Sequence, residues 1–566
     1  MEAMVKGQKE RKGQWPKAIT CPNEMVALSM ADGYARLTGK PQCVIVHVDV
    51  GTQGLGAAVH NASCGRAPVL IFAGLSPFTL EGEMRGSRTE YIHWIQDVPD
   101  QKQIISQYCR YTGEFKSGKN VKQIVNRALQ WATSDPQGPV YLAGAREIME
   151  EEIEPYSLNQ KQWVPVTGSA LPASAVELIA NELVNAKEPL VVVGYNGRAA
   201  SSVKELVNLA NLVKGLRVLD CAGSDMSFPA DHPGWLGLRF GNSDAVKTAD
   251  VILVVDSDVP WIPTVCKPKE TAKVIHLDVD PLKQQIPMFY LPSIATFKVD
   301  STTAFKQINE YIVSNPTLSQ TLNSEEVNNR QRRVEESYRQ RLQEIADSAV
   351  APTGGPDAHL NANYLMAELR KAAPQDTIWA IEAVTLTLFV ADQLQCTLPK
   401  SWINCGGGGL GWSGGGALGI KLASDDEHGG KNKGKFVCQI VGDGTYLFSV
   451  PGSVYWIARR YNIPILTIVL NNKGWNAPRR SMLLVHPDGE GSKATNEELN
   501  ISFSPTPDYA GIAKAAAGGE LWAGRASTVG ELAEKLPQAI QSVLAGTAAV
   551  LEAQLDGIVG KYVEKK

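Results

Sequence analysis

The chain has 566 residues, of which 44% are hydrophobic and 20% are charged, and its formal net charge at pH 7 is −4. This length predicts roughly three or four domains, and the apolar fraction excludes disorder as the main state. The small net charge excludes a strong attraction to nucleic acid or anionic lipid, and no apolar run reaches the roughly 20 residues that a membrane span needs. The nine cysteines are scattered without a Cys-x-x-Cys pair, so we expect a protein of a reducing compartment, the cytoplasm.

The predicted strands and helices alternate in three blocks. Short, continuous apolar runs alternate with helical stretches, such as the helix predicted over 25–37. The apolar runs lie at 43–48, 69–74, 137–142, 189–194, 251–256, 273–280, 436–441 and 465–470. Such runs are typical of parallel sheets that helices cover on both faces. The sequence therefore predicts an α/β fold of three doubly wound parallel-sheet domains over 1–155, 171–313 and 356–566, with a linker over 314–355.

Polar residues follow two neighbouring predicted strands of the third block. Gly442-Asp443-Gly444 follows the first strand and Asn471-Asn472 follows the second. Ligands of open α/β sheets bind at the carboxyl ends of the strands, where glycines let the backbone approach a phosphate. Asp443 and Asn472 carry hard oxygen atoms that suit Mg²⁺. Each turn alone is a common structural feature, but the two together, with one helix between them, are more specific.

With 26 residues between Gly444 and Asn471, this pair resembles the thiamine diphosphate motif of the decarboxylase and acetolactate synthase superfamily. The segments at 23–25, 31–40, 138–142, 274–281 and 408–412 are also similar to that superfamily. The resemblance implies a pyrimidine-binding, a middle and a diphosphate-binding domain, with thiamine diphosphate and Mg²⁺ as cofactors. It also implies a homodimer or homotetramer, because the cofactor of these enzymes lies between domains of two copies. Acetolactate synthases carry FAD in the middle domain, and no motif here decides whether FAD binds.

The resemblance implies roles for individual residues. Glu24 corresponds to the glutamate that hydrogen-bonds the aminopyrimidine of the cofactor, and Leu410 corresponds to the apolar residue that holds the cofactor bent. Asp443, Asn472 and the carbonyl of Gly474 correspond to the metal ligands. Further predicted cofactor contacts are Glu382 and Ala383, in a loop over 381–384, together with Gly409, Gly442, Gly444, Thr445 and Trp475.

The predicted substrate side contains a histidine and a glutamine. His47, 23 positions after Glu24, resembles the histidine of benzoylformate decarboxylase that transfers protons, and histidine exchanges protons near neutral pH. The alternative is a strand-end histidine whose partners are backbone groups. Gln96 or His93 is predicted to face the substrate. Acetolactate synthases tend to carry a Gly-Pro-Gly turn near His47, which this chain lacks, and Pro478 stands where pyruvate decarboxylases carry a catalytic glutamate.

The predicted function is decarboxylation of a 2-oxo acid, followed by aldehyde release or by carboligation to a 2-hydroxyketone, as in acetolactate synthases. The alternatives are a simple decarboxylase similar to benzoylformate decarboxylase and a catalytically impaired relative that still binds the cofactor. The impaired relative is considered because family members usually have a further strand and helix before the residue matching Glu24. We therefore expect a shortened first domain, and a mitochondrial location would fit if the native N-terminus is missing.

Overall fold

The computed structural model describes residues 2–555, which fold into three separate sheets with only parallel strand pairs. Successive residues of the central strands enter different apolar clusters, as Leu190 and Val191 do in the middle sheet. The first and third sheets likewise separate two clusters each. Each sheet is therefore covered on both faces, which confirms the predicted doubly wound α/β fold.

The first unit carries its sheet in the order β1-β2-β4-β3. Its strands are β1 (Gln42–Val46), β2 (Val69–Leu75), β3 (Tyr111–Glu114) and β4 (Val140–Ala145). Its α-helices are α1 (Glu2–Glu10), α2 (Glu24–Thr38), α3 (Val48–Gln53), α4 (Gly56–Cys64), α5 (Ile92–Ile95), α6 (Val121–Thr133) and α7 (Arg146–Met149). Helix α2 begins where the Asn23 side chain accepts a hydrogen bond from Val26 N–H (3.1 Å) and ends before Gly39, whose φ is 71°.

The middle unit carries its sheet in the order β10-β9-β8-β5-β6-β7. Its strands are β5 (Pro189–Val193), β6 (Arg217–Asp220), β7 (Trp235–Leu238), β8 (Val251–Val255), β9 (Lys273–Asp278) and β10 (Ala295–Lys298). Its α-helices are α8 (Ala173–Asn185), α9 (Ala200–Leu212), α10 (Asp244–Thr248), α11 (Ser301–Ser314), α12 (Pro316–Leu322) and α13 (Glu325–Ser348).

The third unit carries its sheet in the order β12-β11-β13-β14-β16-β15. Its strands are β11 (Ile378–Glu382), β12 (Trp402–Asn404), β13 (Val437–Gly442), β14 (Leu466–Asn471), β15 (Trp522–Ala526) and β16 (Ala549–Gln554). Its α-helices are α14 (Ala362–Ala372), α15 (Thr387–Leu394), α16 (Trp412–Glu427), α17 (Asp443–Phe448), α18 (Pro451–Tyr461), α19 (Asn476–Val485), α20 (Glu490–Lys493), α21 (Tyr509–Ala516) and α22 (Val529–Leu544).

The stretch predicted as a linker is mostly helical and packs on the middle unit. Helices α12 and α13 cover most of 314–355. Leu318, Leu322, Val327 and Ile345 from this stretch are buried in a core cluster of the middle sheet. The charged exposed face of α13 dominates its composition, which explains why the sequence suggested a surface connection. In space the stretch extends the helical layer of the middle unit.

Glycines bring the first and third units into backbone contact. A Cβ atom added to Gly33 of α2 would lie 2.3 Å from Gly416 O, and one added to Gly419 of α16 would lie 2.0 Å from Met30 O. Neither position has room for a side chain. Part of the glycine-dense stretch after Cys405 therefore serves the packing of α2 on α16.

Arg36 of α2 joins all three units. It is 2% exposed, and its Nη1 donates to the carbonyl oxygen of Asn404. Its Nη2 donates to Ser224 O (2.8 Å) and lies 3.3 Å from Asp225 Oδ1.

Within residues 2–555, no helix combines the length and apolar character needed to cross a membrane.

Candidate functional site

Three oxygen atoms converge where β13 and β14 end. Asn472 Oδ1 lies 2.8 Å from the carbonyl oxygen of Gly474 and 3.2 Å from Asp443 Oδ2. Neighbouring ligands of an octahedral Mg²⁺ at about 2.1 Å lie roughly 3.0 Å apart, so this spacing suits one cation. Rotating the Asn472 amide by 180° would instead direct Nδ2 hydrogen bonds to the same two oxygens. The amide therefore has one orientation that suits a bound cation and another that satisfies the site without one.

Backbone groups fix the Asp443 carboxylate and Gly474. Asp443 Oδ1 accepts from Gly444 N–H (2.7 Å), and Oδ2 accepts from Gly474 N–H (3.0 Å). Burial raises the pKa of Asp443 to about 6, although these hydrogen bonds act in the opposite direction and lower it. Gly474 has a φ of 147°, and a Cβ atom there would lie 2.2 Å from Ile501 O. In the part of the chain that the structure describes, no three His, Cys, Asp or Glu side chains cluster as metal ligands. This site therefore combines a single carboxylate with amide and carbonyl oxygens.

Trp475 packs against Gly444, in the first turn of α17. A Cβ atom added to Gly444 would lie 2.1 Å from Trp475 Nε1. The backbone N–H of Trp475 donates to Ile501 O (2.9 Å), and the Trp475 ring packs edge-on against the Phe503 ring, with 4.9 Å between the ring centres. Gly442 ends β13, and Thr445 is buried in the first turn of α17. The structure thus gathers Gly442, Gly444, Thr445 and Trp475 beside the three oxygens.

Glu382 caps helix α16. Glu382 and Ile381 belong to β11, so the loop predicted over 381–384 begins only after the strand. Glu382 Oε1 accepts from Gly411 N–H (2.9 Å) and Trp412 N–H (3.2 Å), and Oε2 accepts from Ser413 N–H (2.8 Å). Burial raises the pKa of Glu382 to about 7, although the hydrogen bonds from these three N–H groups lower it. Ala383 follows it in a buried position, and cofactor contact by either residue stays a prediction.

Asn61 of α4 holds the segment around Leu410. Its Nδ2 donates to Gly409 O (2.6 Å), and its Oδ1 accepts from Gly409 N–H (3.1 Å). A Cβ atom at Gly409 would lie 2.4 Å from Ala57 O, so the backbone of the first unit needs a glycine there. Leu410 is half-buried beside this contact. Asn61 is not predicted from the sequence, because no local pattern marks one asparagine of a helix as a partner for a distant loop.

Glu24 lies against Gly51 of the short helix α3 and against Gly54, directly after this helix. A Cβ atom added to Gly54 would lie 3.0 Å from Glu24 Oε2, and one added to Gly51 would lie 3.6 Å from Oε1. Glu24 is half-buried at the first residue of α2. The small residues after His47 therefore leave space for this carboxylate.

His47 precedes α3 and contacts Gln96. His47 Nε2 lies 3.2 Å from Gln96 Oε1. His47 is exposed, whereas Gln96 is 6% exposed. Val48 has a φ of 33°, which is strained for a β-branched residue. His47 thus joins Gln96 to the start of α3, the helix that Glu24 also contacts.

His93 has different neighbours. Its Nδ1 accepts from Thr89 N–H (3.3 Å), and its Nε2 lies 3.9 Å from Glu90. His93 is buried, and its hydrogen bond with Thr89 stabilises the segment before Gln96. A substrate contact by His93 stays a prediction.

Three family models match successive parts of the chain. They describe a thiamine pyrophosphate enzyme: its N-terminal TPP binding domain matches residues 6–104, its central domain 176–287 and its C-terminal TPP binding domain 382–552. The chain belongs to the thiamine pyrophosphate enzymes. The three matches follow the domain order that the resemblance implied.

Other thiamine pyrophosphate enzymes are similar along most of the chain. Benzoylformate decarboxylase of Pseudomonas aeruginosa is 24% identical, over 83% of this chain and 81% of that protein. Acetolactate synthase isozyme 3 large subunit of Escherichia coli is 23% identical, over 94% and 87%. The structure of a thiamine diphosphate-dependent 4-hydroxybenzoylformate decarboxylase from Rhodococcus jostii superposes with a TM-score of 0.72 at 20% identity, over 96% and 92%. This last likeness shows the shared fold.

The oxygens at the ends of β13 and β14 fit a cation bound together with a diphosphate. Proteins commonly hold Mg²⁺ through one or two carboxylates while phosphate oxygens and water complete the octahedron. Asp443, Asn472 and Gly474 supply such a partial set of oxygen ligands.

Arg479 lies nearby in sequence, but its Nε donates to Asn496 Oδ1 (3.0 Å) and its Nη2 to Ala494 O (2.6 Å). Arg479 therefore braces the segment after α19.

Proposed function

We propose that this chain is a thiamine diphosphate- and Mg²⁺-dependent lyase that decarboxylates a 2-oxo acid and releases the aldehyde. The observation that carries the proposal is the contact of His47 with Gln96 at 3.2 Å, at the start of helix α3, which Glu24 also contacts. Aldehyde release requires a proton on the carbon that loses CO₂. An exposed imidazole held by a buried amide is suited to supply that proton.

Each group has a distinct part in this proposal. Thiamine diphosphate, when bound, supplies the electron sink that makes loss of CO₂ favourable. Asp443, Asn472 and the Gly474 carbonyl would hold Mg²⁺. Glu24 would hold a proton at the pyrimidine ring of the cofactor, and His47 would donate a proton to the product.

Carboligation to a 2-hydroxyketone is the second candidate. The similarity to acetolactate synthase supports it. The resemblance of the sequence supports it too, because 92–97, which contains Gln96, lies where acetolactate synthases carry a glutamine. In that reaction a second carbonyl compound takes the place of the proton. The two candidates therefore differ in their products and share the step that releases CO₂.

The decisive measurement is CO₂ release from a panel of aliphatic and aromatic 2-oxo acids, with thiamine diphosphate and Mg²⁺ added and products identified by mass spectrometry. We expect cofactor-dependent CO₂ release and an aldehyde product. A 2-hydroxyketone as the main product would favour the second candidate. No CO₂ release by protein shown to bind the cofactor would contradict both and favour the catalytically impaired relative.

We also propose that the active enzyme is a homodimer or homotetramer in the cytoplasm. The resemblance supports shared sites, and all nine cysteines are free, as a reducing compartment allows. The variants Glu24→Gln and Asp443→Asn, each inactive alone, should regain part of the activity when co-expressed, because one shared site of each mixed dimer is intact. Monomeric protein in light scattering, or no regained activity, would contradict shared sites.

A further inference from the structure

The chain itself fills the crevice of the middle sheet. Ligands of open α/β sheets bind outside the carboxyl ends of the strands, at the point where the strand order reverses. In the order β10-β9-β8-β5-β6-β7 this point lies between β5 and β8. The N–H of Tyr195, after β5, donates to the carbonyl oxygen of Asp256, after β8 (2.8 Å). A Cβ atom on Gly194 would lie only 2.5 Å from the same oxygen, so the two loops meet directly.

Arg66 enters this crevice from the first unit. It follows α4, and its Nη2 lies 2.9 Å from Asp258 Oδ1 and 3.8 Å from Asp278 Oδ1. Its guanidinium carbon lies 4.1 Å from the centre of the Tyr195 ring. The Tyr195 hydroxyl lies 2.9 Å from both Cys64 O and Asp258 Oδ2. The guanidinium is thus held between an aromatic face and two carboxylates.

The crevice has the wrong charge for a diphosphate. Asp256, Asp258 and Asp278 face two cations, Arg66 and Lys283. Lys283 is 3% exposed, lies 2.9 Å from Asp258 Oδ1 and also pairs with Asp278. Burial opposes the charge of Arg66, but Asp258 and Asp278 outweigh it and raise the pKa of the guanidinium. A diphosphate would have to displace Arg66 and then approach the three carboxylates.

We infer that the middle unit does not bind FAD or another dinucleotide, and that its crevice is instead a socket for Arg66. FAD does not fit, because the space, the aromatic ring and the charges are all used by the contact between the two units. The inference does not depend on which 2-oxo acid the enzyme takes.

The first test is direct FAD binding to the full chain loaded with thiamine diphosphate and Mg²⁺. Titration calorimetry and flavin fluorescence should show no saturable binding, with a flavoprotein known to bind FAD as the positive control. The purified protein should also contain no flavin by absorbance. One FAD bound per chain would overturn the inference whether or not the protein decarboxylates 2-oxo acids.

The second test addresses the socket. Arg66→Met and Asp258→Asn should each lower the midpoint of thermal unfolding, and the double variant should lose less than the sum because the two side chains interact. Arg339→Met, at an exposed arginine, is the matched control. If Arg66→Met and Arg339→Met unfold at the same temperature, the proposed socket is wrong. It is also wrong if the loss in the double variant equals the sum of the losses in Arg66→Met and Asp258→Asn.

Discussion

His47 Nε2 and Gln96 Oε1 lie 3.2 Å apart, which joins an exposed ring to a buried amide. The Gln96 backbone is fixed, because its N–H donates to Ile92 O (3.0 Å) and its carbonyl accepts from Ser76 Oγ (3.3 Å). With Oε1 accepting from Nε2–H, a neutral His47 ring leaves Nδ1 as its acceptor. Gln96 is thereby in position to set both the orientation and the tautomer of His47.

Gln96→Glu should shift the pH dependence of turnover. A carboxylate at 3.2 Å from Nε2 stabilises the imidazolium, so a reaction that needs protonated His47 stays active to higher pH. We expect the alkaline limb of kcat to move up by about 1 pH unit. Gln103→Glu, at an exposed position, should leave the profile unchanged. An unchanged profile for Gln96→Glu would argue against proton donation by His47.

Glu24→Gln should abolish most turnover and leave cofactor binding largely intact. The substitution keeps the shape next to Gly54 but removes the proton-exchanging group. Loss of such a group typically lowers kcat by about 100-fold or more. Steady-state kinetics and calorimetric titration with thiamine diphosphate and Mg²⁺ separate the two effects, with Glu270→Gln as the exposed control. Normal turnover in Glu24→Gln would refute its assigned role.

Mg²⁺ affinity should fall as the pH falls below 6. Burial raises the pKa of Asp443 to about 6, so at lower pH a proton competes with the cation for the carboxylate. We expect the Kd for Mg²⁺ to rise about tenfold for each pH unit below this value. Calorimetric titrations at several pH values measure it. Asp443→Asn should bind weakly at every pH, and a similar Kd in this variant and the parent would exclude Asp443 as a ligand.

Glu382 should make the free energy of unfolding decrease as the pH rises from about 4.5 to 7. Burial raises the pKa of Glu382 from its ordinary 4.5 to about 7, so in this window the folded state binds the proton more tightly than the unfolded chain does. This contribution is complete below pH 4.5 and lost above 7, and it amounts to about 3 kcal/mol. Denaturant unfolding of Glu382→Gln should show a weaker pH dependence than the parent. Equal slopes would mean that Glu382 is charged throughout.

Gly419→Ala should separate the first and third units. The added methyl group would lie 2.0 Å from Met30 O, so α2 and α16 must move apart at a cost on the order of 3 kcal/mol. Because α2 begins with Glu24, turnover should fall as well. Gly452→Ala, on α18 with no atom within 4 Å, is the matched control and should be neutral or slightly stabilising. Equal unfolding midpoints for the two variants would contradict the close packing.

The strands predicted from the sequence are present as β1, β2, β4, β5, β8, β9, β13 and β14. Most of them carry continuous apolar runs because both faces of the sheet are buried there. Strand β1 is the exception, since Cys43 and Ile45 on one of its faces are exposed. Several strands that escaped prediction, such as β7, β10 and β12, are three or four residues long and lie at sheet edges. Such short strands offer too few residues to show an apolar run, although every residue of β12 and most of β7 are buried.

The sequence by itself determined the fold class and the two strand ends at 442–444 and 471–472, because apolar runs and glycines record local requirements. Its resemblance to a known family implied the order of the three units. Only the tertiary structure decided which side chains meet. His47 with Gln96, Asn61 with Gly409, and Arg66 with Asp258 are pairs from distant parts of the chain. No local pattern encodes such a pair, since its distance depends on how whole helices and sheets pack.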